Sequence, residues 1–440
     1  MTAPAPIDRA VIVGASMAGL LTARVLAEHA RDVVVLDRDA LPDGAAPRRG
    51  VPQARHLHVL LARGLSVLED LFPGIAADLV ARGAERGDQQ ESFRFANDGR
   101  RMARGTAGFD GLAASRPLVE DAVRRRVAAL PSLSLRPGTA VDGPVSAGRR
   151  VTGVRLAGGE VLPADLVVDA TGRGSRAPAW LAELGFAPPP QERLPVDLVY
   201  ASRHYRREPH HLGGDDGVLV TVAPPDVPRG GTALPEEGGR WIVTLIGMLG
   251  EEPPLDHRGF TAYAGTLAAP DVAELLRDAE PLDDPVRHRF PASVRRRYER
   301  LADFPDGLLV TGDALCSLNP AYGQGMTVAA LEAEALRACL RSAGPLAPSF
   351  FRAAARVIDI PWSVVTGGDL RFPGVAGPRP LPVRLANRYM RRLYVAAEAD
   401  PAVARAFLRV TNLLDRPERL LAPDVAARVL YRTVSAGRGR

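Results

Sequence analysis

The chain has 440 residues, 46% of them hydrophobic, enough for two or three domains or one large two-part enzyme with a substantial core. Its 56 basic residues are all arginine, so a net charge of +5 comes without a single lysine, and Schiff-base or other lysine-dependent chemistry is excluded. Two cysteines with no CxxC pair, and eight histidines without ligand-like spacing, exclude a disulfide framework and a metal site and fit a reducing cytoplasm.

No apolar run is long enough to span a bilayer, and the N-terminus lacks the charged head and apolar core of a signal peptide. The arginine clusters at 124–126 and 295–297 read as solvated helix faces. No aromatic residues interleave with them as a nucleic-acid binder requires, so no such partner is expected.

An apolar run at 10–13 breaks at Gly14 into a tight turn. A helical pattern follows, and a second apolar run at 33–36 ends on Asp37. This is the strand–turn–helix–strand of a dinucleotide-binding unit. Gly14 allows the turn, Gly19 lets helix and strand pack closely, and the helix start at Ser16, Met17 and Ala18 offers free N–H groups to a pyrophosphate. Ser16 stands where the usual pattern has its middle glycine, a position where a small residue suffices. Asp37, 18 residues beyond Gly19, suits a ribose hydroxyl. The unit alone allows NAD, NADP or FAD.

Leu57, Leu60, Leu61, Leu65, Leu68 and Leu71 fall at helical spacing, stopped by Pro73-Gly74. Residues 91–115 read as sheet and loop, and a helix over 117–130 is entered by Ser115-Arg116-Pro117. Strand runs at 133–136, 151–156, 161–163 and 165–172 follow. Between 194 and 249, β-rich runs alternate with Pro/Gly loops and predict an antiparallel sheet. Helical patterns resume at 259–279, and the last hundred residues read as helices separated by proline. Within them, 403–434 is arginine-rich and amphipathic, a pattern that packs on its own domain or, less commonly, lies on a membrane surface.

Residues 307–340 return to strand, glycine loop and helix. Asp313, after Gly312 at a strand end, suits a ribityl hydroxyl, and the helix that follows Pro320, Gly323 and Gly325 can aim its N–H groups at a flavin ring. The segment reads equally as a plain strand–loop–helix connection; as a flavin contact it narrows the nucleotide to FAD. The expected fold is α/β: a discontinuous Rossmann-like FAD-binding domain (1–80, 115–175, 305–340), an inserted substrate domain, mainly antiparallel sheet (81–114, 176–304), and a helical C-terminal region (341–440).

Taken in order, GASMAG…LD, DLVVDATG and GDALCSLNPAYGQGM resemble the FAD-dependent monooxygenases of the para-hydroxybenzoate hydroxylase type over most of the first 340 residues. RRGVPQARHLHVLLARGLSVLEDLFPG and NPAYGQGMTVAALEA are similar to bacterial polyether epoxidases of the monensin and lasalocid type, and through them to squalene epoxidase. The resemblance implies that Gly14, Ser16 and Gly19 cradle the pyrophosphate and that Asp37 and Arg38 hold the adenosine end. It implies that Arg116 approaches the phosphate or ribityl region, that Asp313 binds the ribityl, and that Gly323 to Met326 back the isoalloxazine, with Arg49 and Gln53 as further cofactor contacts. It also implies O2 as co-substrate, NAD(P)H or a separate flavin reductase as electron source, and an apolar small-molecule substrate. Oxygen would pass from a flavin C4a-hydroperoxide to an alkene, which needs no protein nucleophile. The middle motif departs from the family pattern at Asp169-Ala-Thr-Gly172, which leaves direct NAD(P)H use open.

Phe93, Phe95, Tyr200, Tyr205, Trp241 and Phe290 read first as core packing and second as an apolar cavity wall, and Gln53, His56 and His58, which the resemblance places near the flavin, read first as helix capping and polar packing and second as functional groups. Aromatic hydroxylation, reduction of isoprenoid double bonds, and a flavin carrier or chaperone without turnover are the alternatives. The related halogenases rely on a lysine, which this chain lacks.

Overall fold

A computed structural model describes residues 7–438 of the protein, with side chains described up to 433. The apolar runs of the sequence form a five-stranded sheet in the order Leu308–Val310, Leu166–Asp169, Ile7–Val13, Ala30–Leu36, Leu133–Arg136. Every pairing in it is parallel. Parallel strands are covered on both faces, which is why they read as continuous apolar runs rather than alternating ones. The helix Met17–Leu26 packs against the helices Arg116–Ala128 and Gly325–Leu340. Two glycines make the close approach possible. A Cβ on Gly14 would sit 2.5 Å from the Ala170 carbonyl oxygen, and one on Gly19 would sit 1.8 Å from that of Gly14.

The second sheet has eight strands: Cys316–Ser317, Val286–Arg296, Gln191–Arg206, Arg240–Gly247, Arg229–Glu236, Gly217–Val220, Phe93–Asn97, Arg100–Arg101. It departs from the wholly antiparallel expectation at one seam, where Phe93–Asn97 runs parallel to Gly217–Val220. That strand arrives from an earlier part of the chain and is not bound by the hairpin rule that makes sequential neighbours antiparallel. At the other edge Cys316–Ser317, from the loop after Asp313, pairs with Val286–Arg296 and ties the two sheets together.

The period of two sorts side chains in this sheet. Ala201, Tyr205, Trp241, Val243 and Leu245 pack under Phe260, Val272 and Leu275 of the helices His257–Ala264 and Asp271–Asp278. Leu198, Tyr200, Thr244, Ile246 and Met248 face the opposite way, toward a cavity.

Local expectations shift in three places. Residues 57–61 are not helical; the helix begins at Ala62 because Leu60 bridges to Leu112 in extended backbone. The pattern at 259–279 is two helices, broken between Gly265 and Pro270. The stretch 403–434 is not continuous either: Pro401–Thr411 is capped by Asn412, Leu413 follows at φ +57°, and Pro417–Leu421 and Pro423–Arg438 come after it. Its apolar side chains Val403, Phe407, Val410, Val425 and Val429 pack on Leu393, Ala396 and Ala397, so that face is buried within the molecule. Among the described residues no helix is long and apolar enough to cross a membrane.

Candidate functional site

A cavity of about 1670 Å³ runs from the strand ends of the parallel sheet, beneath the second sheet, to the C-terminal helices. It exceeds the ~300–1,000 Å³ of a single-ligand pocket and offers room for two molecules. Its first end collects residues far apart in sequence: Gly14, Ser16, Met17, Ala18, Asp37, Arg38, Gln53 and Arg116, with Gly312, Asp313, Pro320, Gly323, Gly325 and Met326. Two expected contacts lie outside its wall. Gly19 is taken up by the helix–strand approach, and Arg49 is exposed to solvent.

Arg48 occupies the place expected for Arg49. Its side chain, 6% exposed, donates to Asp37 and Asp39 at 3.0 Å each and to Glu120 at 3.0 Å. Glu120 also accepts from the Ser16 hydroxyl at 3.0 Å and from Arg116 at 3.2 Å. Arg116 in turn donates to Ser16 Oγ at 2.8 Å. Ser16 is therefore more than a tolerated small residue, since its hydroxyl links Glu120 to Arg116. Burial opposes the charge on Glu120, but Arg116 and Arg48 outweigh it and hold the carboxyl below its usual range. Asp37 accepts from the Ala15 N–H at 2.8 Å and the Asp39 N–H at 2.9 Å, which locks the fingerprint turn.

The residues present fit a flavin dinucleotide. Ser16 does not cap the helix Met17–Leu26 with its side chain, nor does Gln324 cap Gly325–Leu340, so both first turns keep N–H groups for a ligand. Gln324 Oε1 is buried without a partner among the described residues. Among the described residues Asp313 makes no hydrogen bond or ion pair. Burial pushes its carboxyl above the usual range, with Arg116, Arg173 and Arg296 pulling it back. A buried acceptor without a donor is costly, and a polyol chain supplies donors. Gly312, at φ +69°, brings this segment against Ala18, where a Cβ would lie at 2.6 Å.

The middle motif works differently from a direct contact. Asp169 is fully buried and absent from the cavity wall. It accepts from the Thr171 N–H and hydroxyl and from Ser175 Oγ, fixing the turn whose residues 170–174 do line the cavity. Arg173 stands 4.4 Å over the Phe290 ring.

Beyond this cradle the wall turns apolar and aromatic. Phe93, Phe95, Tyr200 and Phe290 line it, whereas Tyr205 and Trp241 point to the other face of the sheet and pack in the core. His58 lines the cavity; His56 lies behind, its Nδ1 paired with Ser202 Oγ at 2.9 Å and its ring edge-on to Tyr200 at 4.6 Å. Burial, with neighbouring positive charge, pushes both imidazoles down to about 3, so both are neutral at neutral pH. Tyr389, Met390, Tyr394 and Phe407 close the far end. Periodicity marks these as core residues and carries no signal of a cavity. Among the described residues no cluster of His, Cys, Asp or Glu could hold a metal ion.

Residues 10–186 match the family model described as FAD dependent oxidoreductase. The chain is 36% identical over 430 residues, 93% of its length, to Protein Rv3254 of Mycobacterium tuberculosis, of which the match covers 90%. Its fold is that of pqsL, a probable FAD-dependent monooxygenase from Pseudomonas aeruginosa, at TM-score 0.61 and 18% identity over 83% of this chain and 95% of that one. It is also that of 2-methyl-3-hydroxypyridine-5-carboxylic acid oxygenase, at TM-score 0.63 and 19% identity over 92% and 98%. With a cradle that fits the cofactor, a family match over its N-terminal part and a relative that spans nearly the whole chain, the chain belongs to the FAD-dependent oxidoreductases.

Proposed function

We propose that the protein is a monooxygenase that places one oxygen atom from O2 on an apolar molecule, most directly by epoxidising an alkene, with NAD(P)H or a separate flavin reductase as electron source. The observation that carries this reading is the continuity of the cavity: the cofactor cradle opens onto a chamber walled by Phe93, Phe95, Met390, Tyr394 and Phe407. The fold shared with two proteins named as oxygenases supports it.

When bound and reduced, FAD supplies the electrons that divide O2 between product and water. The chain's own residues position and protect. The start of the helix Met17–Leu26 and Arg116 would hold the anionic part of the cofactor, the start of Gly325–Leu340 would face its flavin ring, and Asp313 would accept from its ribityl hydroxyls. An alkene attacks an electrophilic oxygen without losing a proton, so the chamber needs no base. Its groups agree: His56 and His58 stay neutral, and burial raises the Tyr200 phenol far above neutrality. The aromatic wall excludes water from the reacting atoms.

The test is product mass. FAD-loaded protein, supplied with NAD(P)H or a flavin reductase and candidate polyenes under ¹⁸O2, should yield products carrying one ¹⁸O. A gain of two hydrogens instead defeats the proposal in favour of a reductase. FAD binding without substrate-dependent reoxidation would mark a carrier, and a protein unable to take up FAD would end the reading.

A further inference from the structure

Beside the main cavity lies a second hollow of about 770 Å³, walled by the turn Pro224-Pro225 and by residues between 370 and 391. Pro224, Arg371, Leu385 and Asn387 belong to both walls, so the hollow adjoins the main cavity in the position of a vestibule. Its wall carries five arginines and no acid.

Two of the five are occupied. Arg371 is paired with Asp98, and Arg379 donates to the carbonyls of Leu370, Phe372 and Val375. The side chains of the other three, Arg384, Arg388 and Arg391, make no hydrogen bond or ion pair among the described residues. All three are exposed and follow one another along a single side of the helix Leu381–Ala399. That placement does nothing for the helix. Like charges at i and i+4 repel, and cations are disfavoured near a helix start. Beside them Leu381 and Leu385 stand 63% and 56% exposed. Unpaired cations and bare aliphatic groups thus share one rim, at the edge of a chamber that is itself apolar.

We propose that this vestibule binds the anionic end of an amphiphilic substrate. Arg384, Arg388 and Arg391 hold a carboxylate or phosphate, and the hydrocarbon chain passes Leu381 and Leu385 into the aromatic chamber. Guanidinium groups suit this because their planar N–H forks match both anions. The proposal rests on the reading of the chamber as an oxygenation site for apolar chains. It narrows the substrate class from neutral hydrocarbons to chains with an anionic head.

Calorimetric titration of the FAD-loaded protein with oleate, dodecyl phosphate and oleyl alcohol, each below its micelle concentration, tests it. Oleate should bind at least about tenfold more tightly than oleyl alcohol, and added salt should weaken the anions alone. Comparing oleate with dodecyl phosphate tells which head the arginines prefer. The double variant Arg384→Gln/Arg388→Gln should erase the preference while oleyl alcohol binds as before. Arg392→Gln, on the same helix but outside the vestibule wall, should leave the preference intact. Equal binding of oleate and its alcohol overturns the proposal but leaves the apolar chamber standing, as does a preference that survives the double variant. Binding of neither chain overturns both.

Discussion

Arg48 and Arg49 are adjacent and chemically identical, yet the fold uses one and leaves the other in water. Arg48 is nearly buried among Asp37, Asp39 and Glu120. Removing it leaves Asp37 and Asp39 without their cation and Glu120 with Arg116 alone, and breaking buried pairs of this kind costs ~3–5 kcal/mol. Arg48→Ala should therefore lower the melting temperature markedly and weaken FAD retention, whereas Arg49→Ala should change stability by no more than ~0.5 kcal/mol. Thermal melts and titration of FAD into apoprotein separate the two; equal effects would refute the assignment. At this scale the sequence is legible where backbone chemistry dictates the residue. Gly14, Asp37, Gly312 and Asp313 all reach the cavity. It is silent on Arg48 and Glu120, because an ion pair 72 residues apart leaves no periodic trace.

At the scale of elements, the fingerprint helix depends on a glycine that touches no ligand. A Cβ on Gly19 would sit 1.8 Å from the Gly14 carbonyl oxygen, which is backbone and cannot swing aside. Gly19→Ala should push the helix Met17–Leu26 away from its strand, costing ~2–3 kcal/mol and loosening the cofactor cradle with it. Gly174→Ala, with open space around its Cβ, is the matched control and should melt close to the parent. If both variants melt alike, the close approach does not limit stability. The parallel sheet was readable for the same reason: strands covered on both faces are apolar throughout. Two features were not readable. Leu60 satisfies helical spacing and a β-bridge equally, and only its pairing with Leu112 decides. The parallel seam at Phe93–Asn97 depends on direction of approach, which alternation does not encode.

For the whole molecule, the cavity belongs to no single segment, and the response of stability to pH also belongs to the sum. On the acid side the contributions oppose one another. His56 and His58, held near 3 by burial, bind no proton when folded but do so when unfolded below about 6.5, so they lose stability as pH falls. Glu332 and Asp369, raised by burial to about 7, stay protonated when folded and ionise when unfolded, so they lose stability as pH rises from about 4 to 7. Above 7 both acids are ionised in either state and those two histidines are neutral in either state. His204 then stands nearly alone. Burial works against its charge, but hydrogen bonds to Asp283, at 2.5 Å, and to Glu236 raise it to about 9. Its contribution is complete below the unfolded value near 6.5 and is lost as pH rises through 9. Because Asp283 is 44% exposed, solvent screens part of the shift, and the loss should total ~2 kcal/mol. Denaturant melts of the FAD-saturated protein from pH 7 to 8.5 should show this decline, and His204→Gln should flatten it while lowering stability at pH 7. A decline that persists unchanged in the variant would place the alkaline limb elsewhere.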